Sequence, residues 1–442
     1  MNLRPTIYAL SSGSGRAGIA VIRVSGILAS QVIIQLAGVL PAPRAASLRV
    51  LRTSIDQSVV DQGLVLWFPG PRTATGEDVA EFHVHGSPAV VARLFAELNL
   101  IENVVSAGPG EFTRRAFDNG VLDLVEVEGL ADLIGAETES QRRLAMRQFL
   151  GEASSIYETW RAELLNALAF ADAAIDFVDE PDVVESAVIQ ILPIVEKLKF
   201  DLENAVAQSS RAGAVRDGLR LVIAGAPNVG KSSLLNLLAG RDAAIVSDRA
   251  GTTRDVVEAV VSFEGVRLVM ADTAGLRHDS LDEIEKIGMS RAVAETRDAD
   301  ILIWLSAHDI KNEVGPIRSP DLSVMNKSDL MASDSIHLRN ESQINISLKT
   351  GAGLSELKTS LASLVAERSN LAQNAVVVRD RHLSAVRKTI RKLNDILAGE
   401  ILPLELMAEE LRDACRTMSS ITGRVDVEDL LGKIFSEFCI GK

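Results

Sequence analysis

The chain has 442 residues, 47% of them hydrophobic and 24% charged, with a formal net charge of −14. This composition excludes a disordered or fibrous protein and bounds the chain to about two to four globular domains. The acidic balance excludes a protein that grips nucleic acid over a broad basic surface, so any such contact must be a local patch or come through a partner. Residues 1–121 read as mixed structure. GIAVIRV (18–24) and QGLVLWF (62–68) have the character of strands, and AVVARLFAELNL (89–100) that of a helix. SSGSGRAG, PGPRTATGED and SAGPGEFT punctuate them as turns. From Leu122 apolar residues recur at helical spacing, with breaks, to about Ser209, and RAGAVRDG then reads as a linker. LRLVIA (219–224) is a strand, and from there to about 372 strands alternate with helices, the α/β pattern. Helix returns from 376, in VVVRDRHLSAVRKTIRKLNDILAG, LELMAEELRDACRTM and VEDLLGKIFSEF.

Helix thus flanks an α/β unit on both sides. The expected fold is multidomain, α+β and α/β, with an α/β domain inserted into a helical one, as is cheap where the inserted ends lie close together. The boundaries follow the texture: 1–121, a helical part at 122–215, the insert at 216–372, and a second helical part at 373–442.

The strand LRLVIA runs into Gly225-Ala226-Pro227-Asn228-Val229-Gly230-Lys231-Ser232-Ser233 and then a helix, which is GxxxxGK[ST] in a strand–loop–helix context. The glycines let backbone N–H groups face phosphate oxygens, and the helix N-terminus adds its dipole. Lys231 is placed to neutralise β/γ charge and the Ser232 hydroxyl to hold Mg²⁺. Asp272-Thr273-Ala274-Gly275 follows a strand, with Asp272 able to reach the Mg²⁺ shell and the Gly275 N–H the γ-phosphate. Asn326 and Lys327 with Asp329 form NKxD at another strand end. The Asp329 carboxylate matches the N1–H and N2 amine of guanine, and adenine would leave it unpaired, which selects GTP. NISLKTGAG supplies a last contact through Ser347, Leu348 and Lys349. Four motifs in this order specify a guanine-nucleotide domain. Leucine stands after DTAG, at Leu276, and cannot orient a water as the glutamine of Ras-like enzymes does. No arginine finger in cis is evident, although Arg249 and Arg254 lie near the site in sequence.

Asn228 within the P-loop, SDRAGTTRD (247–255), DTAGLR (272–277) and the terminal CIGK together resemble the MnmE (TrmE) family of tRNA-modification GTPases. The resemblance extends through TGED (75–78), HG (85–86), PGEF (109–112), RAF (115–117), LDL (122–124) and AAIDF (173–177) and so spans essentially the whole chain. It implies a Ras-like GTPase insert and a K⁺ ion held by the Asn228 side chain and the carbonyls of Ser247, Arg249 and Thr252. That cation would supply the charge of an arginine finger. The nucleotide-contacting stretch would be Ser247, Asp248, Arg249, Ala250, Gly251, Thr252 and Thr253, with Thr253 on Mg²⁺. Glu285 in DEIEKIG would orient the attacking water and, with Lys231, carry catalysis; a solvated helix-face charge is its other reading, and Glu283 is its neighbour in competition.

The resemblance further implies that residues 1–121 bind a tetrahydrofolate derivative (5-formyl- or 5,10-methylene-tetrahydrofolate) and pair in a homodimer. Arg23 and Glu81 match folate-contacting positions, with a surface ion pair as the alternative, and Lys442 would approach the ligand. Val121 stands where the family commonly has lysine. The implied activity is K⁺-activated GTP hydrolysis coupled to modification of tRNA. With a flavoprotein partner (MnmG/GidA), in a heterotetramer, a carboxymethylaminomethyl-type group would be added at C5 of wobble uridine 34. A regulatory GTPase switch, such as a ribosome-assembly factor, is the competing reading. The tail FCIGK fails as a prenylation box on Gly441 and Lys442. It reads instead as a helix end at Phe438 followed by a short arm, in which Cys439 either reacts or packs. The only two cysteines, Cys415 and Cys439, make no disulfide framework and point to a reducing compartment. No uncharged apolar run reaches membrane-spanning length, and MNLRPTIYAL lacks a long apolar stretch, so a cytoplasmic protein without membrane contact is expected.

Overall fold

The computed structural model describes residues 4–176, 181–240, 258–272, 295–310, 315–330, 343–373, 375–398, 402–425, 428–436, 438, 440 and 441. The chain divides into two compact units that do not follow chain order. One comprises Met1–Ala131, Gln148–Glu158 and Met418–Lys442, and the other Asp132–Arg147 and Thr159–Thr417.

The first unit is built on β1 (Thr6–Leu10), β2 (Ala17–Ser25), β3 (Ser47–Arg52), β4 (Val59–Phe68), β5 (Val79–Gly86) and β6 (Val104–Ser106). They form one sheet in the order β3-β4-β5-β2-β1-β6, antiparallel throughout except that β6 runs parallel to β1. Alternation sorts its faces. Tyr8, Ile22, Val24, Val65, Trp67 and Phe82 point to one side. There they pack with Val32, Ile33 and Leu36 of α1 (Ala29–Ala37) and Leu94 and Leu98 of α2 (Pro88–Asn99). Ile7 and Ala9 point to the other side, against Ala107 and Phe112, the latter on α3 (Glu111–Asp118). Gly63 on β4 has no room for a side chain, since a Cβ there would lie 2.2 Å from the His83 carbonyl oxygen.

Helices α4 (Leu124–Gly135), α5 (Glu139–Phe149), α6 (Glu152–Ile175) and α7 (Pro181–Asp217) follow. α7 corrects the sequence reading of RAGAVRDG as a linker, because helix runs through it to Asp217. A single Gly213 costs such a helix only about 1 kcal/mol. That cost is outweighed by fully buried Val215, which packs with Leu144, Ala375 and Val378. The chain breaks at Gly218, whose φ is +108°.

β7 (Leu219–Ala224), α8 (Lys231–Ala239), β8 (Glu258–Phe263), β9 (Val266–Asp272), β10 (Ile301–Ala307), β11 (Leu322–Asn326) and β12 (Gln343–Asn345) make the α/β part of the second unit. The sheet order is β12-β11-β10-β7-β9-β8, parallel except for the edge strand β8. β7 and β10 are near-continuous apolar runs, as strands covered on both faces must be. Leu221, Ile223, Ile303 and Leu305 pack with Leu234 of α8 and with Leu357, Leu361 and Val365 of the Leu354–Gln373 helix. Three more helices, Asp380–Leu397, Leu404–Thr422 and Glu428–Ser436, complete the described chain. The last ends at Ser436, two residues before the Phe438 expected from sequence. The Phe438 N–H donates to the Phe435 carbonyl at 3.2 Å in a closing turn. No helix among the described residues is long and apolar enough to cross a membrane.

Candidate functional site

The motifs of the α/β part converge because they follow the carboxyl ends of neighbouring parallel strands. β7 lies between β9 and β10, where strand order reverses, and open α/β sheets bind ligands at such a point. Gly225 has φ +153°, and a Cβ there would lie 2.0 Å from the Leu305 carbonyl oxygen. The loop can leave β7 against β10 only with glycine at this position. Asn228 at the exposed tip of the loop is itself left-handed, at φ +62°, a conformation asparagine tolerates better than most residues. Gly230 precedes α8, and Val229 beneath it is fully buried.

Lys231 is only 8% exposed, and its Nζ donates to the carbonyls of Gly225 at 3.0 Å and Ala226 at 2.9 Å. The ammonium is therefore folded back against the start of the loop. Ser232 and Ser233 open α8 on its exposed side. Asp272 closes β9 in register with Ile223 of β7.

Asn326 ends β11 and joins two motifs. Its Nδ2 donates to the Val229 carbonyl at 2.8 Å, and its Oδ1 accepts from the Leu348 N–H at 3.2 Å. Asn326 thus braces the loop after β11 against both the phosphate loop and the loop after β12. The adjacent Gly230 is tight for the same reason, since a Cβ there would lie 2.6 Å from Asn326 Nδ2. Ser347 is fully buried and its Oγ donates to Asp329 Oδ1 at 2.6 Å. That hydrogen bond holds the Asp329 carboxyl below the usual carboxylate range, so it stays ionised and able to accept two hydrogen bonds. Lys327, at φ +61°, is tied through Nζ to Asp309 at 2.7 Å, an anchor not evident from sequence. Lys349 follows Leu348 on the exposed side of the same loop. Asn228, Val229, Gly230, Lys231, Ser232, Ser233, Asn326, Lys327, Asp329, Ser347, Leu348 and Lys349 thus belong to one strand-end region. Ser247 to Thr253, Thr273, Ala274, Gly275, Glu285, Cys439 and Lys442 lie outside the described residues, as does the side chain of Asp272.

In the first unit Arg23 of β2 faces Glu81 of β5 in register. Arg23 Nη2 and Nε donate to Glu81 Oε1 at 2.8 and 3.0 Å, and His83 Nε2 lies 3.1 Å from Glu81 Oε2. Burial alone would raise the Glu81 carboxyl, but the His83 hydrogen bond and the Arg23 charge outweigh it and hold it below the ordinary glutamate value. His83 was not singled out from sequence; its alternation with Glu81 on β5 is the signal that would have found it.

The motifs TGED, PGEF and RAF meet at Arg115, which is 4% exposed. Arg115 bonds Glu77 at 3.0 Å, Glu111 at 3.1 Å and the Pro5 carbonyl at 2.8 Å, and Glu77 accepts from Ser25 Oγ at 2.7 Å. These charged motif residues knit the turn before β5, α3 and the start of β1 together.

The end of the chain is fixed to the same unit. Ile440 forms an antiparallel bridge with Pro109, and Ser11 Oγ donates to the Gly441 carbonyl at 2.8 Å. Gly441 has φ +98°, and a Cβ there would lie 2.1 Å from the Leu10 carbonyl oxygen. Leu10 is one residue beyond Ala9, the register partner of Arg23. Strand spacing therefore puts the tail roughly 10 Å from the backbone of Arg23, with Glu81 one strand further on. Cys415, by contrast, is buried, and burial pushes its thiol up to about 11, which keeps it unreactive.

Family models match residues 6–121 as the N-terminus of GTP-binding protein TrmE and residues 124–439 as the MnmE helical domain. The chain is 48% identical over 446 residues to the tRNA modification GTPase MnmE of Rhizobium etli (strain CIAT 652), covering 100% of this chain and 99% of that protein. The protein of the same description from Brucella anthropi is 45% identical over 443 residues, covering 100% and 99%. That from Beijerinckia indica is 44% identical over 443 residues, covering 99% and 96%.

Proposed function

The chain belongs to the MnmE family of tRNA modification GTPases, and on that premise we propose that it hydrolyses GTP to drive modification of the wobble uridine of tRNA. The observation that carries the GTPase part is the Val229–Asn326–Leu348 bridge. It ties the phosphate loop, the NKxD loop and the SLK loop together at one edge of the sheet. Lys231 would bind the β/γ-phosphates, Asp329 oriented by Ser347 would select guanine, and Lys327 would cover the base while Asp309 anchors its ammonium.

The donor chemistry fits two cations. Ser232 brings a hydroxyl at the start of α8 and would hold Mg²⁺ with Thr253. Asn228 brings an exposed amide oxygen, a hard donor suited to K⁺, and would be joined by the carbonyls of Ser247, Arg249 and Thr252. Bound there, K⁺ would supply positive charge beside the transferring phosphoryl group. Glu285 would orient the water that Leu276 cannot.

The finer reading is that a tetrahydrofolate derivative (5-formyl- or 5,10-methylene-) binds at Arg23 and Glu81. Its one-carbon unit would enter a carboxymethylaminomethyl-type group at C5 of uridine 34, with an MnmG/GidA-type flavoprotein as partner. Arg23 suits a carboxylate and Glu81 suits donor groups of a pterin. The pinning of Ile440 and Gly441 near this pair supports a role for Cys439 or Lys442 there. A homodimer through this unit is supported by the sheet face opposite α1 and α2. Leu48 and Leu64 face each other there in register and are 60% and 40% exposed, an apolar patch of the kind that marks an interface. The domain boundaries proposed are 1–121, 122–215, 216–372 and 373–442, and the location cytoplasmic.

Mass analysis of tRNA nucleosides from cells lacking this protein tests the reading. Loss of the carboxymethylaminomethyl-type uridine is expected. An unchanged nucleoside profile refutes it and favours a bare regulatory switch.

A further inference from the structure

Within a chain of net charge −14, the Asp380–Leu397 helix carries five basic and two acidic side chains. Its buried face is His382, Val386, Thr389, Leu393 and Ile396. The exposed positions are Asp380, Ser384, Arg387, Lys388, Arg391, Asn394 and Asp395, with both acids at the helix ends. The helix is thus sharply two-sided, and the middle of its wet side, from Arg387 to Arg391, is cationic.

Most of the charge nearby is already committed. Lys392 bonds Glu410 at 2.9 Å and Asp413 at 3.3 Å, and Arg381 Nη2 lies 3.0 Å from His382 Nε2. On α5 the exposed Arg142 and Arg143 both bond Glu139. Arg387, Lys388 and Arg391 differ: no hydrogen bond or ion pair holds any of them among the described residues. Like charges four apart on a helix repel, and the repulsion is relieved when an anion sits across them.

We propose that the face formed by Arg387, Lys388 and Arg391 docks the phosphate backbone of tRNA, a proposal that rests on the tRNA reading above. Arg387 and Arg391 are separated by about 6 Å along the helix axis. Two guanidinium forks so spaced can each take a phosphate of one strand, and Lys388 adds a point charge beside them. Backbone contacts of this kind set register and orientation and leave base recognition to other groups. An acidic protein partner fits less well. None of the exposed positions is aromatic or aliphatic, and Leu383, Ile390 and Leu397 beside them are half-buried, so the face lacks the exposed apolar centre that protein interfaces are built around.

The test is tRNA binding by the full-length protein as a function of salt, for the native chain and for Arg387→Ala/Lys388→Ala/Arg391→Ala. The variant is expected to bind on the order of tenfold to a hundredfold more weakly at low salt. The slope of log affinity against log salt should fall in magnitude by about 2 to 3. Arg387→Lys/Arg391→Lys, which keeps the charge, should retain most of the slope. Thermal melting and GTP hydrolysis should match the native chain, since all three side chains are exposed and remote in sequence from the nucleotide motifs. Unchanged affinity and slope in the triple variant overturn the proposal while leaving the tRNA reading intact. Unchanged slope with loss of binding to a protein partner makes the face a protein-docking surface and equally overturns it. Absence of tRNA binding by the native chain overturns this proposal together with direct tRNA contact by this subunit.

Discussion

Gly441→Ala is the sharpest test of the tail. The native residue sits at φ +98°, and an alanine Cβ would lie 2.1 Å from the Leu10 carbonyl oxygen, well inside any real contact. Holding a non-glycine residue in the left-handed region costs about 1–2 kcal/mol. The clash must also push the tail away from Leu10, which breaks the Ser11–Gly441 hydrogen bond, worth about 0.5–1.5 kcal/mol. Together these shift the docked tail by about 2–3 kcal/mol, or roughly 30- to 150-fold in its docking equilibrium. The global fold should tolerate this, because Phe438 stays buried with Leu124, Val127, Leu431 and Phe435. The expected result is a loss of tRNA modification of tenfold or more, read by nucleoside mass analysis, with GTP hydrolysis by the purified protein unchanged. Ser11→Ala, which removes only the hydrogen bond, should give a milder loss of about fivefold. Full modification with Gly441→Ala would refute the functional arm, and an equal loss of GTP hydrolysis would make the tail a structural strap.

Asn326→Ala should raise the GTP dissociation constant by about 30-fold or more. It strands the Val229 carbonyl and the Leu348 N–H, each at about 1–3 kcal/mol when buried; native nucleotide affinity by equilibrium titration would contradict the bridge. Asn228→Ala should abolish stimulation of hydrolysis by K⁺ over Na⁺ while nucleotide binding is kept, and unchanged K⁺ dependence would remove Asn228 from the proposed cage. The Glu81 carboxyl is held below its ordinary value of about 4.3. Its contribution to stability is therefore complete above that value and lost as pH falls through the lower folded value. Glu81→Gln should flatten the acid limb of the melting-temperature profile below about pH 4.3 and leave the profile near neutrality parallel to the native one.

The phosphate and base motifs were legible in sequence because each is local. GAPNVGKSS, NKSD and SLKTGAG each encode a turn at the end of one strand, and a parallel sheet delivers consecutive strand ends to the same edge. What joins them was not legible. Asn326 reaches across from β11 to the loop after β7, 97 residues away in sequence, and no local pattern announces such a bond. RAGAVRDG failed as a linker for a related reason. Its glycine and charges look like a break, but Val215 is buried by residues distant in the chain, and burial outweighs a weak local preference. Charge motifs behaved the same way. TGED, PGEF and RAF could be quoted from the sequence, yet only the fold reveals that Glu77 and Glu111 close on one buried Arg115.

The tail carries this furthest. Its glycine is ordinary in sequence, and a C-terminal Ile-Gly-Lys suggests a loose end. The structure instead gives Gly441 a backbone conformation and a contact that only glycine can satisfy, 430 residues from its hydrogen-bond partner Ser11. A terminus held so specifically loses conformational freedom that a free end would keep. The offsetting contacts lie on β1, one strand from Arg23. A tail anchored only for stability could have docked anywhere along the unit. Docking against β1, the neighbour of the strand that carries Arg23, keeps the anchored Ile440 and Gly441 beside the sheet that carries the proposed one-carbon site.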